Sequence, residues 1–392
     1  MSLRRTLLGL ASLVSGSLAL LIALPRTSHT LWSIQMVASE LPLFTLITGL
    51  PALRKHGWSG RKFMGLLGIV VSAIPYLRWL DARRAMDAEM VEAFGRGYTT
   101  KIPFHVRKRI LPSRWLPYNI GYLRRIDGVC VEHDVPFADT PQRTLKLDVY
   151  RSSDFDGEQR PAVIVIHGGG WRAGDKRRYY TGHHRALAHQ GYVVFDIQYR
   201  LTGRDDVGWP AQLEDVRAAI RFVKRNAAQY GVDPARIALY GRSAGGHLAL
   251  VAAACACGLD SDTAVQAVVA AYAPVNMLLV GYEHDERVLK LLGANSYEDP
   301  DIYREASPLH QLKAEMPPTL ALHGARDPLV SPMHADMLQK RMHQLGRPCV
   351  VLRVPWARHA FDAVRIGLGA QLTQYYVDRF LAKCLYNVES AS

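Results

Sequence analysis

The sequence predicts an α/β chain, a mostly parallel sheet with helices on both faces, preceded by N-terminal transmembrane helices. Three observations lead there. From Gly128 onward, short β-branched runs alternate with stretches of helical periodicity, the pattern of strands joined by covering helices. Ahead of that point lie three long apolar runs. The formal charge of +13 is also unevenly placed: residues 1–128 hold 18 Lys/Arg against 6 Asp/Glu, whereas 129–392 hold 30 against 29. A basic stretch interleaved with apolar runs suits anionic lipid better than a phosphate backbone, so a membrane and no nucleic acid is expected as partner.

In chain order, Arg4 and Arg5 precede an uncharged run from Thr6 to Leu24, close to the roughly 20 residues that cross a bilayer. No A-x-A site stands before Pro25, which favours an anchor over a cleaved signal. The second run, 31–53, is interrupted by Glu40 and Pro42; the carboxylate must face protein or the interface. The third, 63–80, ends in Tyr76, Arg78 and Trp79, as an interfacial anchor would. Arg54, Lys55, Arg61 and Lys62 fill the loop between the second and third runs. The positive-inside rule puts that loop and the N-terminus in the cytoplasm; three spans then place the rest of the chain on the extracytoplasmic side, whereas two would keep it inside.

Residues 1–100 are thus expected to form the anchor. Residues 101–127 form a basic-aromatic linker (Lys101, Phe104, Arg107, Lys108, Arg109, Arg114, Trp115, Tyr118, Tyr122, Arg124, Arg125) suited to a membrane surface or to a solvated connection. Residues 128–392 form the α/β domain. Its strands are expected at 144–150, 162–166, 192–197, 237–240, 267–271, 319–322 and 350–354, and its clearest helices at 211–229, 244–256, 333–345 and 367–385. The five cysteines (Cys130, Cys255, Cys257, Cys349, Cys384) lack any CxxC spacing and leave the compartment open.

Gly241-Arg242-Ser243-Ala244-Gly245 fits G-x-S-x-G between an apolar strand and an Ala-rich helix. That context forces a tight turn which pushes a serine hydroxyl to the top of the sheet at a helix N-terminus. His167-Gly168-Gly169-Gly170-Trp171 follows the 162–166 strand, so the amides of Gly168 and Gly169, with that of Ala244, suit a developing oxyanion. His167 is expected to orient that loop. Of fifteen histidines, His359 is the best placed base, in the loop after the last strand; Asp327, after the 319–322 strand, is the expected acid. Asp362 is a rival carboxylate but stands too near His359 in sequence. His247, one turn after Ser243, is expected to pack or support. His183, His184 and His189 lack H-E-x-x-H spacing, so no metal is expected. The chemistry needs no cofactor: Ser243 attacks a carbonyl, His359 shuttles the proton and water resolves an acyl-enzyme.

The stretches HGGGWRAGDK (167–176), QYRL (198–201), WPAQLED (209–215) and SAGGHLA (243–249) resemble the α/β-hydrolase esterases related to hormone-sensitive lipase and to feruloyl-esterase-like carboxylesterases. Arg242 stands where hormone-sensitive-lipase relatives usually carry an acid, which favours the second branch. The resemblance implies the α/β-hydrolase fold and a membrane-associated serine carboxylesterase or lipase. Kynurenine formamidases share the HGGGW loop, so amide hydrolysis is the alternative. A cap is expected around 276–317, with Met277, Leu278, Leu279 and Val280 lining an acyl pocket or simply core. In layout alone, the N-terminus resembles prenylcysteine methylesterases and certain bacterial membrane esterases.

Overall fold

A computed structural model describes residues 2–23, 29–53, 60–110, 126–155, 159–177, 179–256 and 262–386. Cys257, Arg54 and Lys55 of the basic loop, and the linker residues from Arg114 to Arg125 lie outside the described residues.

In chain order the elements are α1 (Ser2–Ala23), α2 (His29–Glu40), α3 (Pro42–Gly49), α4 (Gly60–Phe94), α5 (Phe104–Arg109), β1 (Val129–Asp139), β2 (Thr144–Ser152), β3 (Arg160–Ile166), α6 (Thr181–His189), β4 (Val193–Ile197), α7 (Ala211–Arg225), α8 (Ala227–Tyr230), β5 (Val232–Arg242), α9 (Ala244–Ala256), β6 (Ala267–Ala271), α10 (Glu286–Leu292), α11 (Pro300–Glu305), α12 (Pro308–Gln311), β7 (Thr319–Gly324), α13 (Met333–Gln344), β8 (Cys349–Val354) and α14 (Leu368–Tyr386). The strands form one eight-stranded sheet in the order β1-β2-β4-β3-β5-β6-β7-β8. β1 pairs with β2, and β2 with β4, antiparallel; every later pairing is parallel. This is the α/β-hydrolase fold.

Alternation along each strand divides the core in two. Ile164, Ile166 and Leu239 face α7, α9 and α13, meeting Val216, Leu248 and Leu338. Val163, Val165 and Tyr240 face the other way, toward Leu187 of α6 and Phe380 of α14. Arg242, Ala271 and Leu322 lie in register at the carboxyl ends of β5, β6 and β7, so the loops that follow these strands converge on one edge, the usual site edge of an open parallel sheet.

The N-terminal expectations need correction in two places. The 31–53 run is not one continuous span. Pro42 opens a new helix, and α2 and α3, 12 and 8 residues, are each too short to cross a bilayer of about 30 Å. The third run extends well beyond Leu80, because α4 continues for 35 residues to Phe94. Its second half belongs to the core: Trp79, Ala82, Met86 and Met90 are buried against the sheet face that α14 also covers. Glu89 there accepts from the Val351 amide of β8 (3.1 Å). Among the described residues one helix, Lys62–Phe94, is long and apolar enough to cross a membrane; Leu10–Ala23 is a shorter apolar helix. The described part of the linker packs inward, with Ile102, Val106 and Ile110 buried on Ala382, while Arg109 bonds the His189 carbonyl (3.0 Å).

Candidate active site

β5 runs into α9 through Ser243, which adopts a left-handed φ of +54°, strain that a serine tolerates only where its surroundings hold it. Gly241 and Gly245 make the turn possible: a Cβ on the first would strike the Gly245 carbonyl, and one on the second the Ile166 carbonyl of β3. The Ser243 amide donates to the Ala271 carbonyl (2.8 Å), pinning the turn to the end of β6.

The Ser243 Oγ lies 2.9 Å from His359 Nε2, and His359 Nδ1 lies 2.7 Å from Asp327 Oδ2. A carboxylate can only accept, so Nδ1 carries the proton and Nε2 presents its lone pair to the hydroxyl. Asp327 is itself fixed, its Oδ1 accepting from the amides of Leu329 (2.8 Å) and Val330 (3.0 Å). Burial alone would raise its pKa, but His359 and His323 outweigh burial and hold the carboxyl below its usual range.

The glycine loop lies directly against Ser243. A Cβ on Gly168 would be 2.8 Å from the Arg242 carbonyl and 3.2 Å from Ser243 Cβ. His167 is turned away to this loop: its Nδ1 donates to the Gly168 carbonyl (2.9 Å), its ring stacks on Tyr199, and burial lowers its pKa to about 4. Trp171 Nε1 donates to His247 Nδ1 (3.2 Å), and His247 Nε2 donates to the Ala306 carbonyl beyond α11 (2.6 Å). Burial holds His247 neutral with a pKa near 4, and its two hydrogen bonds join the glycine loop and α9 to the segment over the site. Lys176, at the end of the HGGGWRAGDK stretch, is buried in an ion pair with Asp148 of β2 (2.9 Å) and ties the far end of the loop to the sheet.

Asp362 points away from His359. Its Oδ2 accepts from Arg242 Nε (2.7 Å) and its Oδ1 from the Tyr272 hydroxyl (2.6 Å). The Arg242 guanidinium lies over the rings of Tyr180 and Tyr240, 3.8 and 4.1 Å from their centroids. Tyr272 also sets its ring against His359, with centroids 4.5 Å apart. Burial would raise the Asp362 pKa, but the Arg242 charge outweighs it and the carboxyl is lowered.

Between β6 and β7 the chain forms α10, α11 and α12. Leu279 and Val280 line a cavity of about 380 Å³ together with Tyr282, Asp285, Arg287 and Asp327. Met277 does not reach it, being fully buried in the main core, and Leu278 packs on that core. Arg287 lies beside Gly170 and carries no sequence signal that would have marked it. Among the described residues no group of three His, Cys, Asp or Glu is placed to hold a metal.

Fold and site together define an α/β-hydrolase with a serine–histidine–aspartate relay at the carboxyl edge of its sheet. Residues 147–342 match the BD-FAE family model, and the chain belongs to that family. It is 29% identical to the probable carboxylic ester hydrolase LipM of Mycobacterium tuberculosis over 374 residues, 90% of this chain and 86% of that protein. A match of that length takes in part of the N-terminal helices. Esterase LipQ of the same organism is 29% identical over 72% of this chain and 70% of its own length. Esterase 2 of Thermogutta terrifontis in its apo form superposes with a TM-score of 0.57 at 27% identity, covering 67% of this chain and 97% of that one.

Proposed function

We propose that the protein is a membrane-associated serine carboxylesterase, with Ser243 as nucleophile, His359 as general base and Asp327 as the orienting acid. It is a carboxylic ester hydrolase; the esterases among its relatives favour an ester over an amide substrate. The observation that carries the serine mechanism is the unbroken relay from Asp327 Oδ2 through His359 to Ser243 Oγ. In the first half-reaction Ser243 Oγ bonds to the carbonyl carbon as Nε2 takes its proton. The amides of Gly168, Gly169 and Ala244 hold the oxyanion. The imidazolium then protonates the departing alkoxide and leaves an acyl-serine. Water, deprotonated by the same nitrogen, releases the acid.

The membrane reading rests on the inside-out polarity of the N-terminal helices. Leu13, Leu20, Phe44, Ile47, Phe63 and Leu77 are exposed, whereas Ser15, Gln35, Thr45 and Ser72 are buried. Small residues let the helices meet: a Cβ on Gly16 would be 2.6 Å from Met64 Cβ, and one on Gly68 would overlap Ser15. Ser15 Oγ donates to the Thr45 carbonyl (2.7 Å). Apolar outside, with small and polar contacts within, is how helices associate in lipid. The apolar first half of α4 then lies in the bilayer, with the basic 54–62 loop at the cytoplasmic face.

One preparation tests both halves. A fluorophosphonate probe labels the wild type, and Ser243→Ala abolishes labelling and lowers ester turnover by on the order of 10⁴-fold or more. The full chain floats with liposomes at high salt. Labelling that survives Ser243→Ala refutes the nucleophile. Release from liposomes by salt refutes insertion.

A further inference from the structure

The N-terminal helices do more in this structure than cover the sheet. They hold the loop between β8 and α14 that carries His359, and they hold it at both ends. At one end Arg358, the residue before His359, is buried and donates from Nη2 to the Ile22 carbonyl (3.1 Å), in the last turn of α1. At the other end Glu40, the last residue of α2, is wholly buried and accepts from the Gly369 amide (2.7 Å) and more weakly from that of Ala370 (3.4 Å), in the first turn of α14. The indole of Trp356, from the same loop, is a further neighbour of this carboxylate. The Arg358 contact has the favourable sign, a cation at the C-terminus of a helix, and the Glu40 oxygen takes up amides of the first turn of α14 that have no partner within the helix. Space is made for the acid: a Cβ on Gly367 would be 2.6 Å from Glu40 Oε2, and one on Gly369 would be 3.0 Å from both Glu40 oxygens.

From this we infer that Glu40 and Arg358 are positioning residues for His359, so that the N-terminal bundle is part of the catalytic apparatus as well as an anchor. The inference rests on the assignment of His359 as the base. His359 stands on a loop that has no strand or helix of its own between Val354 and Leu368 apart from the single 3-10 turn Phe361–Ala363. Its Nε2 must stay within hydrogen-bond reach of Ser243. The Asp327 bond fixes the ring, and the two ties to α1 and α2 fix the backbone that bears it. An ester bound under the α10–α12 segment touches neither tie, so loosening them slows the chemical step and leaves substrate affinity alone.

The test uses the full chain in detergent, a short soluble ester, and the fluorophosphonate labelling rate. Glu40→Ala lowers kcat and the labelling rate about tenfold or more, toward the roughly 10²-fold that a misplacement of about an ångström can cost, with KM within twofold. Glu40→Gln, which keeps one oxygen acceptor for the Gly369 amide, recovers most of the loss. Ser243→Ala in parallel shows whether the serine assignment itself stands: no labelling there, with full labelling of Glu40→Ala at the wild-type rate, overturns the positioning role alone. Equal losses in Glu40→Ala and Glu40→Gln, or a loss confined to KM, also overturn it. Where Glu40→Ala does not fold, Arg358→Lys replaces it. The shorter side chain severs the tie to α1, and a wild-type kcat in that variant refutes the inference.

Discussion

Two carboxylates lie close to His359, the proposed base, and exchanging each for its amide separates their roles. In Asp327→Asn the side-chain oxygen stays with the Leu329 and Val330 amides, which donate to Oδ1. The NH2 group then faces His359 Nδ1 in place of Oδ2. A donor there forces the proton onto Nε2, and that nitrogen can no longer accept from Ser243. The expected loss in kcat is about 10³–10⁴-fold, or roughly 4–5.5 kcal/mol of barrier. Asp362→Asn acts elsewhere. It removes the countercharge of Arg242, whose side chain is 2% exposed and otherwise lies against the faces of Tyr180 and Tyr240. Unpairing a buried charge costs about 3–5 kcal/mol, a fall in melting temperature on the order of 10 °C. Because Asp362 meets His359 through the Tyr272 ring, kcat per active site should fall less than about tenfold, a barrier change below ~1.4 kcal/mol. The assay is ester turnover normalised by fluorophosphonate titration, with a thermal melt on the same sample. A larger loss of normalised kcat in Asp362→Asn than in Asp327→Asn would show that the acid has been misassigned.

His247→Leu strands the Trp171 indole N–H and the Ala306 carbonyl, at about 1–3 kcal/mol for each buried group. The melting temperature and the fluorophosphonate labelling rate should both fall, and a change in neither would remove His247 from the support of the glycine loop. Deleting residues 1–128 uncovers the sheet face under Trp79, Met86 and Met90. At about 1.5–3 kcal/mol per large side chain, that loss consumes most of a typical stability of about 5–15 kcal/mol. The fragment should therefore be recovered aggregated, and a monodisperse active fragment would refute this.

How much of the fold was legible followed burial. β6 and α9 are buried along nearly their whole length, and their apolar runs mark the same bounds in the sequence. β1 left no such run. It is an edge strand with Asp134 at a positive φ, two breaks in register with β2 and a mostly exposed burial pattern. α6 was hidden for the opposite reason: His183 and His184 point inward, so polar letters stand where the helical pattern would show apolar ones. The helix expected over 211–229 divides at Asn226, whose side chain bonds the Phe222 carbonyl (2.8 Å) and ends α7. In the 31–53 run the apolar letters were plain, but Pro42 decided that they form two helices.

The candidate triad could be read because each member follows the carboxyl end of a strand, where the sequence carries a local signal. Its supports could not, because each is a pairing across the chain: Arg242 with Asp362 is 120 residues apart, and Arg358 with Ile22 is 336. The two pairings nonetheless share a cause. Consecutive side chains in extended or tightly turned backbone leave in different directions, so a residue next to a group that faces substrate faces the protein behind it. Ser243 presents its hydroxyl to the site while Arg242 turns back between Tyr180 and Tyr240. His359 turns toward Ser243 while Arg358 turns back to α1. In both places the position just before the reacting group is a buried arginine, long enough to reach an element far away in sequence and charged enough to demand a defined partner there. The x of G-x-S-x-G is therefore informative in this chain: a cation at 242 requires a buried acid nearby, and Asp362, the carboxylate set aside as a triad member, is the residue that meets the requirement.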